Sequence, residues 1–328
     1  MRHLLLFFIG LLGLATPSVK AQQLPLLTYY REHHSLINPG ALYYENYTNN
    51  NYHNLSVGTS YRQQWVGVKG APRTFTARFE HVIPNKNMLY GLALLNDDIG
   101  LTGLTGGYLR YAYQLRFDKY ENSFISGGFN MGFFQYRVQP DKGKTRDPND
   151  PLALTRQQQG FMDFSAGIFV NNQLQNDDVL YYGVSVPQLL TSNFGSSADN
   201  ALTQRQRHYY LLLGFYHFFG QESNADFRTF VEPSIWLRYV PNVPMQMDAN
   251  VRLNIQQFWV GGGLAMSVSK PFKFDIMHVE SGIRVKTGGD HDILKIGLGY
   301  DITTNNASQR LGTTYEINIV YSLSKGSN

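Results

Sequence analysis

Apolar and polar residues alternate along most of this chain. From Met245 onward, Met245, Met247, Ala249, Val251, Leu253 and Ile255 fall on one face, and Gln246, Asp248, Asn250, Arg252 and Asn254 on the other. The pattern returns as Leu294, Ile296, Leu298, Tyr300 and Ile302 against Lys295, Gly297, Gly299 and Asp301, and again over Tyr315–Ser324. A period of two is the signature of a strand with one apolar face and is incompatible with a helix. Read this way, the chain predicts fourteen strands, near 52–62, 73–83, 88–97, 104–116, 122–137, 161–170, 179–187, 207–219, 227–239, 246–255, 257–268, 274–285, 291–302 and 313–323. Most are about ten residues, the length that crosses hydrocarbon at a tilt. The number is even, as in bacterial outer-membrane barrels.

The connections sort by parity. Those after even strands are short: Pro84–Asn87, Phe117–Glu121, Asn171–Asp178, Gly220–Asp226, Gln256 and Lys286–Asp290. The two longest, Gln139–Gly160 and Gln188–Gln206, both follow odd strands. Short periplasmic turns and longer outer loops are the habit of up-and-down membrane barrels. The expected fold is therefore an all-β, transmembrane, antiparallel up-and-down barrel of about fourteen strands. A soluble propeller would repeat with a period of 40–50 residues, and a soluble sandwich would expose more charge. Neither trait is present.

Composition changes the picture in one respect. Only 16% of residues are charged and 14% are aromatic, with 22 Tyr and 21 Phe, yet mean hydropathy is −0.29. Lipid-facing apolar residues alternating with lumen-facing polar ones produce that average. At the N-terminus, Arg2, the apolar run Leu4–Leu14 and the small-x-small site Val19-Lys20-Ala21 predict a signal peptide over 1–21. Residues 22–51 are expected as an N-terminal periplasmic segment and 52–328 as the barrel. The chain has no Cys and a formal charge of +4, with basic residues scattered, so neither thiol chemistry nor a nucleic-acid partner is expected.

The residues offer little for catalysis. No metalloprotease, nucleophile-elbow or phosphate-loop motif occurs. Gly261-Gly262-Gly263 lies within an alternating strand. Asp97-Asp98 and Asp177-Asp178, each after Asn, read as strand-end turns, and Asp147–Pro151 reads as a solvated loop. No enzyme activity, cofactor or metal is expected. Parity places Arg62, Arg78, Glu80, Arg110, Glu232, Arg238, Asp248, Arg252, Glu280, Arg284, Lys295 and Glu316 in the lumen. Mixed signs favour a salt-bridged interior over an ion-selective pore.

One stretch is more specific. Tyr61–Phe75 reads Tyr-Arg-Gln-Gln-Trp-Val-Gly-Val-Lys-Gly-Ala-Pro-Arg-Thr-Phe, and Asn38-Pro39-Gly40-Ala41 precedes it. Together with Asn96-Asp97-Asp98 and Gly100, Asp163-x-x-Ala166-Gly167, Tyr181-Tyr182-Gly183 with Ser185, Tyr300-Asp301 and Tyr315-Glu316-Ile317, this resembles the PorP/SprF family of type IX secretion membrane proteins. The order matches over most of the chain. Gly40 is inserted in the family's Asn-Pro-Ala, and Tyr315 stands where His is frequent. The resemblance implies a bacterial outer-membrane component of the gliding and type IX secretion apparatus, embedded in the lipid bilayer. It would work with other secretion-machine subunits and with a secreted surface adhesin or other type IX cargo.

The long outer loops and the Gln63–Pro72 connection are the expected docking surface. Candidate partner-binding residues are Arg62, Gln64, Trp65, Gly67, Gly70, Ala71, Pro72, Arg146, Arg156, Phe194 and Arg205. Trp65 reads equally as an interface anchor or as a membrane-boundary aromatic. Two function classes stay open: a non-enzymatic export or anchoring partner, and a passive porin or transporter for small solutes.

Overall fold

A computed structural model of the chain describes residues 27–42, 54–83, 86–117, 123–139, 157–174, 177–190, 192–194, 203–220, 227–268, 273–288, 292–304 and 312–323. Alternation resolves into strands β1 (Leu55–Gln63), β2 (Arg73–Ile83), β3 (Met88–Ile99), β4 (Thr102–Arg116), β5 (Phe124–Val138), β6 (Gln157–Gln173) and β7 (Val179–Val186). A small pair, β8 (Ser192–Phe194) and β9 (Thr203–Arg205), follows. Then come β10 (Tyr209–Phe218), β11 (Phe230–Tyr239), β12 (Met245–Ile255), β13 (Phe258–Val268), β14 (Lys273–Lys286), β15 (Ile293–Thr303) and β16 (Thr314–Leu323). All but β8 and β9 join one closed antiparallel barrel. Closure is made by β1 against β16, from Leu55↔Leu323 to Gln63↔Tyr315.

The fourteen expected strands are the fourteen barrel strands, with boundaries moved by a few residues. Two outer connections were misread. Gln157–Gly160, expected as loop, continues β6, and the Gln188–Gln206 connection contains the β8–β9 hairpin, which pairs only with itself among the described residues. Periodicity missed the first because Gln157-Gln158-Gln159 carries no apolar face, although the backbone still pairs with β5.

The faces follow the alternation. On β12, Val251 is 52% exposed, whereas Asn250 and Arg252 on either side are buried. Val251→Arg is expected to cost about 2–4 kcal/mol if the site lies near the bilayer midplane, read by urea titration of the barrel in vesicles. An unchanged midpoint would place Val251 away from lipid. Asn250→Ala, on the opposite face, is not a silent control, because Asn250 Oδ1 hydrogen-bonds His278 Nε2 in the interior.

The wall has one step. β6 has 17 residues and β7 has 8, and their pairing runs only from Gln173↔Val179 to Ala166↔Val186. Beyond that point β6 remains paired with β5 up to Val138↔Gln157. β10 pairs with β7 up to Tyr210↔Ser185. The end of the barrel carrying the longer connections is the one that faces the cell exterior in this architecture, and the step lies at that end.

The segment before β1 overturns an expectation. It was placed in the periplasm, yet residues 28–42 are buried inside the barrel except for the partly buried Leu36. A 3-10 turn, Tyr30–His33, runs directly into a single α-turn, His34–Ile37. Neither turn has an amphipathic surface face to signal it, because the segment contacts wall on all sides.

Candidate functional site

Residues 27–42 lie within the lumen, held along their length by the wall. At the loop end, Thr28 N–H donates to Glu316 (2.8 Å) and its hydroxyl to Asp301 (2.9 Å). Arg62 pairs with Asp301 at 2.7 Å and with Glu316 at 3.6 Å, and also donates to the Thr28 hydroxyl. Midway, Arg31 bonds Glu280 and approaches Glu232 at 3.6 Å. Glu32 accepts from Lys295 (2.5 Å) and Arg252 (2.9 Å), and Arg252 reaches Glu280 in turn. Toward the turn end, Asn38 Nδ2 donates to the Ile168 carbonyl (2.9 Å), and Arg110 Nε donates to the Pro39 carbonyl (2.8 Å). Ser185 donates to the Ile37 carbonyl at 2.7 Å. Backbone and wall approach so closely here that a Cβ on Gly128 would sit 2.2 Å from the Pro39 carbonyl oxygen, and one on Gly167 2.1 Å from Asn38 Oδ1.

Every lumen-facing charge assigned by parity is buried. The salt-bridged interior is therefore present, with a contribution that parity could not show: the N-terminal segment supplies Arg31 and Glu32. His34 packs against the rings of Tyr181 and Phe169. Trp236 and Trp259 are also interior. Tyr30 stacks on Trp236 at 5.4 Å, and Lys295 Nζ lies 4.8 Å from the Trp259 ring centre. Between segment and wall, a cavity of about 50 Å³ is lined by Leu27, Leu36, Ile37, Tyr108, Tyr210 and Trp236, among others.

The second construction is the connection from Gln64 to Pro72. Val68 N–H bonds the Trp65 carbonyl (3.1 Å) and Ala71 N–H the Val68 carbonyl (3.2 Å). These are two consecutive four-residue turns. Gly67 (φ 94°) and Gly70 (φ 76°) stand third in each, where type II turns need a positive φ. Three further bonds pin the loop: Gln64 N–H to the Pro72 carbonyl (2.9 Å), Val66 N–H to the Thr313 carbonyl (2.8 Å), and Gly100 N–H to the Gly70 carbonyl (2.9 Å). Trp65 itself has φ 50°, a strained value for a bulky residue. The result is a fixed loop tip that leaves Val66 42% and Val68 37% exposed.

The sequence-derived candidates divide accordingly. Gln64 and Trp65 are partly exposed and Gly67 and Gly70 exposed on this loop, while Ala71 and Pro72 are tucked beneath it. Arg62 is corrected: it is buried in the lumen as a latch on Thr28, Asp301 and Glu316, so it presents no surface to a partner. Phe194 lies on β8 and Arg205 on β9. Arg146 and Arg156 fall outside the described residues. Sequence reasoning missed Thr28, Arg31, Glu32 and Asn38 as functional residues. Asn38 was visible within a motif, but nothing in its pattern said that the motif faces inward. The latch and the loop are continuous: Arg62 on β1 precedes Trp65 of the loop by three residues, and Trp65 N–H reaches the Thr314 hydroxyl (3.3 Å) at the head of β16. Asp97 and Asp98 were expected at a strand-end turn; they belong to β3, where Asp97 accepts from Thr74 (2.6 Å) and Asp98 from Arg137 (2.7 Å). Among the described residues, no group of His, Cys, Asp and Glu is placed to hold a metal ion.

Comparison with solved structures shows the barrel again. The toluene transporter TodX of Pseudomonas putida is similar with a TM-score of 0.53 at 10% identity, over 89% of this chain and 93% of that one. The CymD monoaromatic hydrocarbon channel gives 0.51 at 10% identity, over 84% and 89%. At such identities the likeness concerns the fold alone. No curated protein matches the sequence. The sequence profile of the type IX secretion system membrane protein PorP/SprF matches residues 19–321, and the chain therefore belongs to the PorP/SprF family, as a β-barrel of the bacterial outer membrane.

Proposed function

We propose that this protein is a closed, non-enzymatic docking component of the secretion apparatus, which supports export or surface anchoring of a secreted partner such as an adhesin. The observation that carries this reading is the pinned loop Gln64–Pro72. Exposed apolar side chains on a tip held by five backbone bonds and a strained Trp65 present a binding surface with little ordering left to do. The buried charges are of both signs and form ion pairs with the segment and across the wall, which leaves the lumen no array suited to guiding one kind of ion.

Trp65→Ala combined with Val66→Ser is expected to leave barrel assembly intact, judged by heat-modifiable gel mobility. It should lower the surface level of at least one secreted protein by roughly tenfold, the scale of losing a single hot-spot contact. Surface level is read by protease shaving of intact cells and mass spectrometry. Deleting Asp141–Pro151 should act in the same direction if the β5–β6 connection shares the surface. An unaltered shaving profile in both variants would remove the docking reading. The passive-channel reading draws on the likeness in fold to a toluene transporter and a monoaromatic hydrocarbon channel and on the cavity beside Trp236. Conductance decides between the two readings.

A further inference from the structure

We propose that the edge of β6 at the outer step, presented by the backbone of Gln158, Gly160 and Met162, receives an extended segment of the secreted partner as an added strand. This rests on the docking reading above and names the mode of recognition. The wall bonds β6 to β7 through even-numbered residues: Leu174 N–H meets the Asp178 carbonyl (2.7 Å), and the last rung runs from Leu189 N–H to the Phe164 carbonyl (2.8 Å). Alternation then turns the N–H and C=O of Met162, Gly160 and Gln158 toward the same side. There, among the described residues, no strand pairs with them. On the opposite side β5 satisfies the odd-numbered residues, at Tyr136↔Gln159 and Phe134↔Phe161.

Such an edge is a template for another chain, and proteins normally blunt it with charge, proline or a bulge. Gln157-Gln158-Gln159-Gly160-Phe161-Met162 has no charge and no proline. Its pairing with β5 is unbroken, and Gln158, Gln159 and Gly160 are exposed, as is Met162 at 51%. The step also lies where the apolar exterior, with Met162 beside the exposed Phe133, gives way to glutamines. Unmet backbone groups near lipid cannot be left to water alone. An extended peptide meets them through its main chain, with alternate side chains lying over Phe133 and Met162. A span of three outward-turned residues suits a segment of about six or seven residues.

The chain has no cysteine, so Met162→Cys introduces a unique thiol. The probe is a synthetic heptapeptide of alternating Thr and Val with a central Cys, offered to the full-length protein in lipid nanodiscs. Disulfide trapping at Met162→Cys is expected to be at least about tenfold faster than at Phe133→Cys, which lies at the same level one strand further in, because pairing sets the peptide beside β6. The same peptide N-methylated at alternate residues should lose that advantage, and so should the unmodified peptide on Met162→Cys with Gln158→Pro added, which removes one N–H facing the open side. Equal trapping of the two peptides would show that the main chain is not read and would overturn the proposal, whatever the folding of the proline variant. A Met162→Cys homodimer cross-linked in native outer membranes would overturn it as well, by assigning the edge to a second copy. In cells, loss of surface display in the Trp65/Val66 variant but not in Gln158→Pro would sink the edge and leave the docking reading standing.

Discussion

Deleting residues 27–42 is expected to turn an electrically silent barrel into an open pore. The reasoning is one of volume and charge. Eight strands enclose a lumen that wall side chains can fill, and sixteen to eighteen leave a water-filled channel. Fourteen lie between, so closure needs added material, and here the N-terminal segment supplies it. Removing the segment does not strip the wall of charge balance: it takes Arg31 and Glu32 away together, Arg252 retains Glu280 at 2.9 Å, and Arg62 retains Asp301 at 2.7 Å. Water entering the vacated lumen would solvate what the segment had satisfied, so the barrel should persist with normal heat-modifiable mobility. Flux of small solutes into vesicles should rise by on the order of tenfold or more as the lumen empties. The intact protein should show little steady current in planar bilayers. Comparable current in both forms would mean that the segment does not seal the lumen, and the passive-channel reading would then replace the docking one.

The legibility of this molecule in its sequence divides along a physical line. Strand positions and the inward or outward sense of each side chain were readable because the pleat repeats every two residues and lipid admits no compromise. Val251 and Arg252 fall on the sides that alternation assigns. Pairing across the wall was readable because neighbouring strands join in simple order, apart from the β8–β9 hairpin. The contents of the lumen were not. Thr28–Leu42 has no period, since it touches wall in every direction. Its partners are scattered over 288 residues of sequence separation, as with Thr28 and Glu316, and nothing local signals such a contact. The same gap gave Arg62 a partner-binding role beside the lumen position that parity correctly assigned. The motif around it was correctly seen as special, but a motif says that residues are constrained and not by what. In this fold Asn38, Arg62, Asp301 and Glu316 are constrained by one another or by the wall around the segment, whereas Trp65 and its two turn glycines build the outer loop. Neighbours in one motif thus serve opposite faces of the same closure.

Glu32→Ala is expected to loosen the segment more than any other single substitution in it. Glu32 accepts from Lys295 at 2.5 Å and from Arg252 at 2.9 Å, and all three side chains are almost fully buried. Removing the anion takes a carboxylate from Lys295 and Arg252 at once, and the Glu280 carboxylate that Arg252 also reaches is shared with Arg31. Breaking a buried pair from one side costs about 3–5 kcal/mol, because the remaining charge stays desolvated. The barrel can avoid most of that cost by releasing the segment and hydrating the lumen, so the energy should appear as undocking and not as unfolding. Leu36→Cys reports this directly, as a thiol at a partly buried position of the segment. Its maleimide labelling, when limited by undocking, should accelerate by roughly 10²–10³-fold in the Glu32→Ala background, since 1.4 kcal/mol corresponds to a factor of ten. Pairing Glu32→Gln with Lys295→Met removes opposite charges together and should recover a large part of the loss, because a buried pair exchanged for neutral groups of similar volume is close to neutral in cost. Labelling that stays slow in Glu32→Ala would mean that the segment is held by its ends, through Thr28 and Asn38, and that the central charges only fill the lumen.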